Sequence, residues 1–323
     1  EILHKYKYFA PIQYFASFTD TIIKSSLEES AFEILAPFDM TAHKKMCPVY
    51  ALMSNLISRG CPTLASKKVM DYVSDMSDIQ KAKSLKAIAR IQKTFIEAII
   101  SERLDINKPE WTILIIEENT SVAKISIEDF SEAYHNLIAM TKDYDDMVLP
   151  KLSVCVKYDA SSETKYDAVI DISIDQICDA EEVAFSKFNA LNDCYFIARS
   201  SEKVYEDRIL YTTERINYKP FVEKDGRGIY HKTEDNCSRL RYFLNLIFRK
   251  EDFRPGQLPI LNRALQLKSV IGLLPTGGGK SLTYQLAAML QPAVTLVVDP
   301  LKGLMKDQYD GLLNIGIDCI SYI

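Results

Sequence analysis

Glycine and proline are scarce in this sequence, with 11 and 12 residues among 323. That scarcity excludes collagen-like and low-complexity chains, and a content of 47% hydrophobic and 26% charged residues excludes a broadly disordered one. Long apolar runs are missing too, because the longest charge-free stretch, Ser281 to Val298, contains Gln285, Gln291 and Pro292 and is too polar to span a membrane. We therefore expect roughly two or three domains with large buried cores and no membrane partner.

Residues that commonly bind metals are few and scattered. The four histidines lie far apart, and no two of the seven cysteines are two to four residues apart, so we expect no zinc site. Unpaired thiols are typical of a reducing compartment, and we expect a cytoplasmic protein, associated with the nucleoid if its source is prokaryotic. The sequence starts at Glu1 without a basic and apolar leader, and we expect it to be a piece of a longer chain.

Charge is distributed unevenly along the chain. The net charge is −5, which disfavours a simple polyanion-binding protein. Residues 229–323, however, carry 11 Lys and Arg against 8 Asp and Glu, a net charge of +3, whereas residues 1–228 carry a net charge of −8. This asymmetry favours the C-terminal part as the one that meets a polyanion.

The first predicted domain, residues 1–108, is mainly helical, and its sequence indicates no function. Apolar residues recur at steps of three and four over 78–103, a helix that Asp78 would cap and Lys108-Pro109 would follow. Further helices are predicted at about 21–35, 46–58 and 64–74. Five basic residues of the 78–103 helix form either a nucleic-acid face or, as is commoner, a solvated one: Lys81, Lys83, Lys86, Arg90 and Lys93.

The second predicted domain, residues 109–228, alternates strands with helix. Four short apolar runs are typical of buried strands: 111–117, 151–157, 168–172 and 194–198. Ser126 with Asp129 forms a capping-box pattern that would open a helix through about residue 141. This alternation predicts an α/β domain with a largely parallel sheet. The residues 225–228 (DGRG) predict a turn before the next domain.

The third predicted domain, residues 229–323, alternates strand and helix more regularly. Helices are predicted at 234–248, 257–267, 280–290 and 301–314. Short apolar strands are predicted at 269–274, 293–298 and 317–322. This order is how a RecA-like lobe begins, so the chain as a whole is expected to be of the α/β class.

A glycine-rich loop, residues 275–279, lies between a predicted strand and a predicted helix. Gly277, Gly278 and Gly279 permit the backbone conformations that a phosphate cradle needs, and the helix that follows adds its positive end. Lys280 is placed to reach the β- and γ-phosphates, and the Ser281 hydroxyl is placed to bind Mg²⁺. The loop departs from the general phosphate-loop pattern in having Leu274 where that pattern has its first glycine.

Three segments together resemble the RecQ family of superfamily 2 DNA helicases. They are FRPGQ at 253–257, PTGGGKSLTYQLAA at 275–288 and VVDPLKGLMKDQYDGL at 297–312. The resemblance implies the start of a RecA-like P-loop lobe that uses ATP and Mg²⁺. It also implies a DNA partner, at a junction of single strand and duplex, and ATP hydrolysis coupled to strand separation.

The resemblance also assigns residues. Arg254 and Gln257 would hold the adenine, at contacts expected to be spatially separate from those to the phosphates. Lys280 would be the catalytic residue, and Ser281 the Mg²⁺ ligand. The other nucleotide-binding residues would be Thr276, Gly277, Gly278 and Gly279, and the DNA-binding residues Pro300, Lys302 and Lys306. The sequence departs from the family at Lys250, where an aromatic residue is frequent, and at Asp299, where serine is usual.

Two alternatives of other classes stay open. The first is a non-enzymatic module, which binds a partner or nucleic acid and keeps the nucleotide site as a switch. The second is a fusion of nuclease and helicase, for which the candidate metal-site residues are Asp159, Glu163 and Lys165, or the pair Asp167 and Asp171. Because a RecA-like ATPase also needs a later acidic motif and an arginine from a second lobe, we expect this piece to bind ATP but to hydrolyse it negligibly.

Overall fold

A computed structural model of the chain describes residues 32–34, 48–58, 65–100, 104–156, 166–172, 195–198, 215–292, 294–317 and 320–323. Its strands are β1 Phe32–Ile34, β2 Glu110–Ile116, β3 Lys151–Cys155, β4 Ala168–Asp171, β5 Tyr195–Ala198, β6 Val222–Lys224 and β7 Tyr230–Lys232. Its helices are α1 Pro48–Ser58, α2 Lys67–Tyr72, α3 Asp78–Ile100, α4 Thr120–Met140, α5 Glu234–Phe248, α6 Gln257–Leu265, α7 Lys280–Met289 and α8 Lys302–Asn314.

Five strands form one sheet in the order β1-β5-β4-β2-β3. Strands β2 to β5 run parallel, and β2 pairs with both of its neighbours, so that Ile113 lies opposite Val154 on one side and Ala168 on the other. Strand β4 is buried along its whole length, as expected for a central parallel strand. The predicted α/β architecture with a largely parallel sheet is confirmed, and the four predicted strands of the second domain all form. The predicted domain boundaries at 108 and 228 stay predictions.

One predicted helix is wrong where the structure describes it. Residues 32–34, within the helix predicted at 21–35, form β1, which pairs antiparallel with β5 at the sheet edge. The apolar residues of this stretch fit both the periodicity of a helix and that of a strand. The pairing with β5 stabilises the strand. The rest of that predicted helix lies outside the described residues.

Two predicted helix caps are also wrong. Asn119 begins α4, because its side chain accepts hydrogen bonds from the amides of Ser121 and Val122. Ser126 instead lies inside the helix, where its hydroxyl donates to the carbonyl oxygen of Val122. Helix α3 is capped by Ser77, one residue before the predicted cap Asp78. The Ser77 hydroxyl accepts the Gln80 amide, and the Gln80 side-chain oxygen accepts the Ser77 amide.

The main core lies between the sheet and the helices that precede and follow β2. Phe95 of α3 contacts Trp111 of β2 and Phe130 of α4 in edge-to-face geometry, with ring centroids 6.0 and 5.1 Å apart. The indole N–H of Trp111 donates to the carbonyl oxygen of Asp105 over 2.8 Å, so this buried polar group is satisfied. Helix α4 also packs against α5, and the hydrophobic core continues into the C-terminal helices. Among the described residues, no helix has the length and apolarity that crossing a membrane requires.

The three strands predicted for the third domain do not form among its described residues. The chain at 269–274, 294–298 and 320–323 is irregular, and most of its apolar side chains are exposed, with Ile271 and Leu273 both 91% accessible. Parallel strands are stable when neighbours satisfy their backbone groups and cover both faces. No described strand pairs with these segments, so their apolar character alone does not make them strands. The helices predicted around them all form.

One ionisable group is buried in the core beside α3. Asp129 of α4 is only 5% exposed, and the side-chain amide of Gln92 donates to its carboxyl group over 2.9 Å. Burial raises the pKa of Asp129 above its ordinary value, while hydrogen bonds from Ser66 and Gln92 and the charge of Lys68 oppose that rise. The folded protein therefore binds a proton at this site more tightly than the unfolded chain does.

This raised pKa predicts a pH dependence of stability. As pH rises from the ordinary pKa of 3.8 through the raised folded value, Asp129 should lower the free energy of unfolding, because the buried carboxyl group must ionise. Asp129→Asn cannot ionise and still accepts from Gln92, so the variant should gain stability relative to the parent across that window. Urea denaturation at a series of pH values measures the difference. Glu118→Gln, at an exposed site, is the control, and a pH-independent difference for Asp129→Asn would contradict the prediction.

Candidate nucleotide-binding site

The glycine-rich loop adopts a conformation that depends on its glycines. Gly277 and Gly279 have φ of 77° and 74°, in the region that other residues rarely adopt. A Cβ atom on Gly278 would lie 2.9 Å from the carbonyl oxygen of Pro275, the same oxygen that accepts the Gly278 amide over 3.0 Å. A Cβ atom on Gly279 would lie 2.5 Å from the side-chain nitrogen of Gln257. The loop thus requires glycine both for its dihedral angles and for its close contacts.

The FRPGQ segment holds this loop from one side. Gln257, the first residue of α6, is 2% exposed, and its side-chain nitrogen donates to the carbonyl oxygens of Gly278 and Gly279 over 3.2 and 3.0 Å. The Arg254 guanidinium donates to the carbonyl oxygen of Gly277. The Gln257 side-chain oxygen accepts the Arg254 amide over 2.8 Å, which fixes the orientation of the carboxamide. Three consecutive loop carbonyls are therefore bound by two side chains.

Those contacts also orient the loop's amides. In a planar trans peptide, the N–H points away from the carbonyl oxygen of the same unit. The carbonyl oxygens of Gly278 and Gly279 accept from Gln257, and the same two peptide units contain the N–H groups of Gly279 and Lys280. These N–H groups therefore point away from Gln257. Amides that point together from a glycine loop at a helix start are the arrangement that binds phosphate oxygens.

The N-terminus of α7 adds positive charge on the same loop. Gly279 is its N-cap and has no side chain to satisfy the first amides of the helix. Lys280 is exposed, and within the described part of the chain no carboxylate pairs with it. Ser281 is half-buried in the first helical turn and Thr276 is exposed in the loop. The predicted phosphate-binding residues thus lie together, and the residues present fit a Mg²⁺–nucleotide.

The residues expected to hold the adenine also contact the glycine-rich loop. The Arg254 and Gln257 side chains donate to its carbonyl oxygens, so in this structure they hold the loop's backbone. The expected separation of the base contacts from the phosphate contacts stays a prediction. The adenine contact stays a prediction. Gly256 has φ of 86° and is the N-cap of α6, a role that the Arg-Pro-Gly-Gln order could have indicated.

The predicted DNA-binding residues lie on one exposed helix start. Pro300, Lys302 and Lys306 are all exposed, and the two lysines are one turn apart on α8. The carboxylate of Asp299 accepts the Leu301 amide over 3.0 Å and lies 3.5 Å from the side-chain nitrogen of Gln308. Asp299 therefore forms a turn with Leu301 just before α8, and the exposed basic residues at this helix start are the two lysines.

Of the candidate metal-site residues of the nuclease alternative, the structure describes only Asp167 and Asp171. Asp159, Glu163 and Lys165 lie outside the described residues. The carboxylate of Asp167 pairs with Lys108 over 2.5 Å and accepts the Thr112 amide over 2.8 Å. The described residues contain no group of three or more side chains able to hold a metal ion. The basic face predicted on α3 is partly exposed, with Lys83 and Lys86 in solvent.

Comparison with known proteins places this site in a family context. The DEAD/DEAH box helicase family matches residues 254–322. The chain is 45% identical over 82 residues to "ATP-dependent DNA helicase Q-like 4B" of Arabidopsis thaliana, 48% over 80 residues to "ATP-dependent helicase SGS1" of Saccharomyces cerevisiae, and 43% over 75 residues to "ATP-dependent DNA helicase RecQ" of Pasteurella multocida. This part of the chain is similar in sequence to RecQ-family helicases.

The matches cover a small part of each protein. They take in 25%, 24% and 23% of this chain, and 7%, 6% and 12% of the three relatives respectively. The chain thus spans about a tenth of the length of the curated relatives that it matches. No solved structure matches it. The RecQ-like resemblance predicted from the three segments is confirmed for the C-terminal part.

The contacts of Gln257 predict that its loss weakens phosphate binding as well as base preference. Gln257→Ala removes two hydrogen bonds to loop carbonyls, so affinity for ATP and for inorganic triphosphate should both fall, by roughly tenfold for bonds of ordinary strength. Calorimetry with ATP, GTP and triphosphate measures this. Gln285→Ala, on α7 and away from the loop contacts, is the control. If triphosphate bound the Gln257 variant as tightly as the parent, the carbonyl contacts would not shape the cradle.

Proposed function

We propose that this chain binds ATP–Mg²⁺ at residues 275–281 and forms part of an ATP-dependent DNA helicase of the RecQ type. The observation that carries the proposal is the fixed loop: Arg254 and Gln257 bind its carbonyls, and the amides of Gly279 and Lys280 face the opposite side at a helix N-terminus. The family match over 254–322 supports the same conclusion.

The site's residues divide the binding task by chemistry. Loop amides and the start of α7 supply hydrogen bonds to phosphate oxygens, and the Lys280 ammonium supplies a mobile point charge for the β- and γ-phosphates. Lys280 is the residue proposed to stabilise charge during phosphoryl transfer. The Ser281 hydroxyl would hold Mg²⁺, which when bound neutralises phosphate charge. Thr276 lies beside the cradle and completes its rim.

Hydrolysis in such enzymes drives movement of one lobe against another. We propose that ATP turnover in the whole protein is coupled in this way to travel along single-stranded DNA and to strand separation at a junction with duplex. Pro300, Lys302 and Lys306 would contact the phosphate backbone of the single strand, because charge at an exposed helix start positions nucleic acid without reading its sequence. A cytoplasmic location remains part of the proposal.

Lys280 gives the most direct test of nucleotide binding. Lys280→Ala should weaken binding of ATP–Mg²⁺ by about 10- to 100-fold, because hydrogen bonds to charged groups contribute more than neutral ones. Calorimetry on the purified chain measures the loss. Lys268→Ala, an exposed lysine of the same region outside the loop, should bind as the parent does. Equal affinity in the Lys280 variant and the parent would refute the phosphate-cradle assignment.

The α8 lysines predict a change in the salt dependence of DNA binding. Each phosphate contact on a single strand contributes about 0.7 to the slope of log affinity against log salt concentration. Lys302→Ala with Lys306→Ala should therefore lower that slope by about 1.4 for single-stranded DNA, with little dependence on sequence. Fluorescence anisotropy over a salt series measures the slope. The matched control is Lys232→Ala with Lys268→Ala, and an unchanged slope in the α8 variant would exclude these lysines from the DNA interface.

The helicase assignment is tested on the whole protein. ATP hydrolysis should rise when single-stranded DNA is added and should be lost in Lys280→Ala. Nucleotide binding without DNA-stimulated hydrolysis or strand separation would instead support the non-enzymatic module.

A further inference from the structure

A short segment, residues 216–222, contacts the far ends of both helices that form the nucleotide site; we call it the strap. Helix α6 starts at Gln257 and helix α7 starts at Lys280, so their N-termini meet at the loop. The strap binds α6 in its last two turns and α7 just beyond its C-terminus. It therefore lies at the opposite ends of the two helices from the site.

The contact with α7 consists of three hydrogen bonds. The side chain of Gln291 accepts the Ile216 amide over 3.0 Å and donates to the Ile216 carbonyl oxygen over 2.8 Å, as a neighbouring strand would. The Tyr218 hydroxyl donates to the carbonyl oxygen of Leu290, one of the carbonyls that a helix end leaves without an intrahelical partner. Ile216, Tyr218 and Leu290 are all at most 2% exposed. The strap thus caps the phosphate-loop helix in a water-poor environment.

The contact with α6 depends on one buried side chain. The Asn262 side-chain oxygen accepts the amides of Phe221 and Val222 over 2.8 and 3.3 Å, and its nitrogen donates to the Val222 carbonyl oxygen over 3.0 Å. Asn262 is 9% exposed and lies on the buried face of α6 with Leu258, Leu261 and Leu265. The carbonyl oxygen of Phe221 also accepts the Cys237 thiol over 3.1 Å. Removing Asn262 would leave buried backbone amides unsatisfied.

The same segment is bound on its other side to the end of α4. The Lys142 amide donates to the Asn217 carbonyl oxygen, and the Lys219 amide donates to the Met140 carbonyl oxygen, both over 2.8 Å. Tyr218 thereby forms a single antiparallel bridge with Thr141, which is completely buried. Outside this bridge the Lys219 ammonium lies 2.7 Å from the Asp145 carboxylate. One segment therefore joins the sheet-bearing region to both helices of the site.

We propose that the strap positions the two helices of the nucleotide site and couples that site to the end of α4, with Gln291 and Asn262 as the positioning residues. The loop carbonyls bind α6 through Gln257, so any shift of α6 against α7 changes the cradle. Both helices are short and regular, and a displacement at one end is carried to the other. The part of this inference that concerns nucleotide rests on the proposed function.

The test measures hydrogen exchange by mass spectrometry in three segments: the loop at 275–283, the strap at 215–222 and the end of α4 at 138–143. Without nucleotide, Gln291→Ala should speed exchange roughly tenfold in the strap and also in the loop, as expected for two lost hydrogen bonds of ordinary strength. Tyr218→Phe, which removes one hydroxyl and keeps the buried ring, should have a smaller effect in the same segments. Gln285→Ala lies within α7 but away from the strap, and it should change exchange in neither the strap nor the loop.

Addition of ATP–Mg²⁺ tests the coupling itself. If Gln291 only stabilised the fold, its substitution would not change which segments the nucleotide protects from exchange. In the parent, protection should extend from the loop to the strap and to 138–143, and in Gln291→Ala it should stay confined to the loop. Gln291→Glu keeps the acceptor for the Ile216 amide and should restore part of the extended protection.

The outcomes separate the two hypotheses. If ATP–Mg²⁺ protects no segment of the parent, the proposed nucleotide binding fails, while the ligand-free comparison still decides whether the strap positions the loop. If Gln291→Ala loosens the strap but leaves loop exchange as in the parent, the positioning inference is overturned. If nucleotide protects the parent's loop but never its strap, the coupling is overturned.

Discussion

The hydrogen bonds from Arg254 and Gln257 to three consecutive carbonyls of the glycine loop are the constraint on which the site depends. Glycine permits more backbone conformations than any other residue, so a loop of three glycines needs external contacts to hold one of them. Binding the carbonyls on one side directs the intervening amides to the other. The FRPGQ segment thus fixes the backbone of the loop for which phosphate binding is proposed.

These contacts form although the strands around the loop do not. The segments before and after α7 are exposed and irregular in the described residues, yet the loop has the positive φ angles that a phosphate cradle needs. Among the described residues, no strand lies beside this loop, and its conformation is held by contacts from Arg254 and from α6.

Beyond the loop, the two helices form one packed unit with the rest of the chain. Their N-termini hold the site, and their other ends meet the strap, which also pairs with the end of α4. The hydrophobic core is continuous from the sheet region into these helices. The proposed nucleotide site is in this way connected to an α/β region for which the sequence indicates no activity.

The sequence was sufficient where the deciding interactions are local. Three- and four-residue periodicity predicted α3 and the C-terminal helices, apolar runs predicted β2 to β5, and the run of glycines before Lys280 predicted the loop's unusual backbone conformation. The sequence was insufficient where partners are distant in the chain. Four features depend on which segments meet: the strand at 32–34, the described segments of the third region that form no strand, the hold of Gln257 on the loop, and the strap at 216–222. A strand or a buried polar side chain is stable only with its partner in place, and residue patterns do not encode that partner's position.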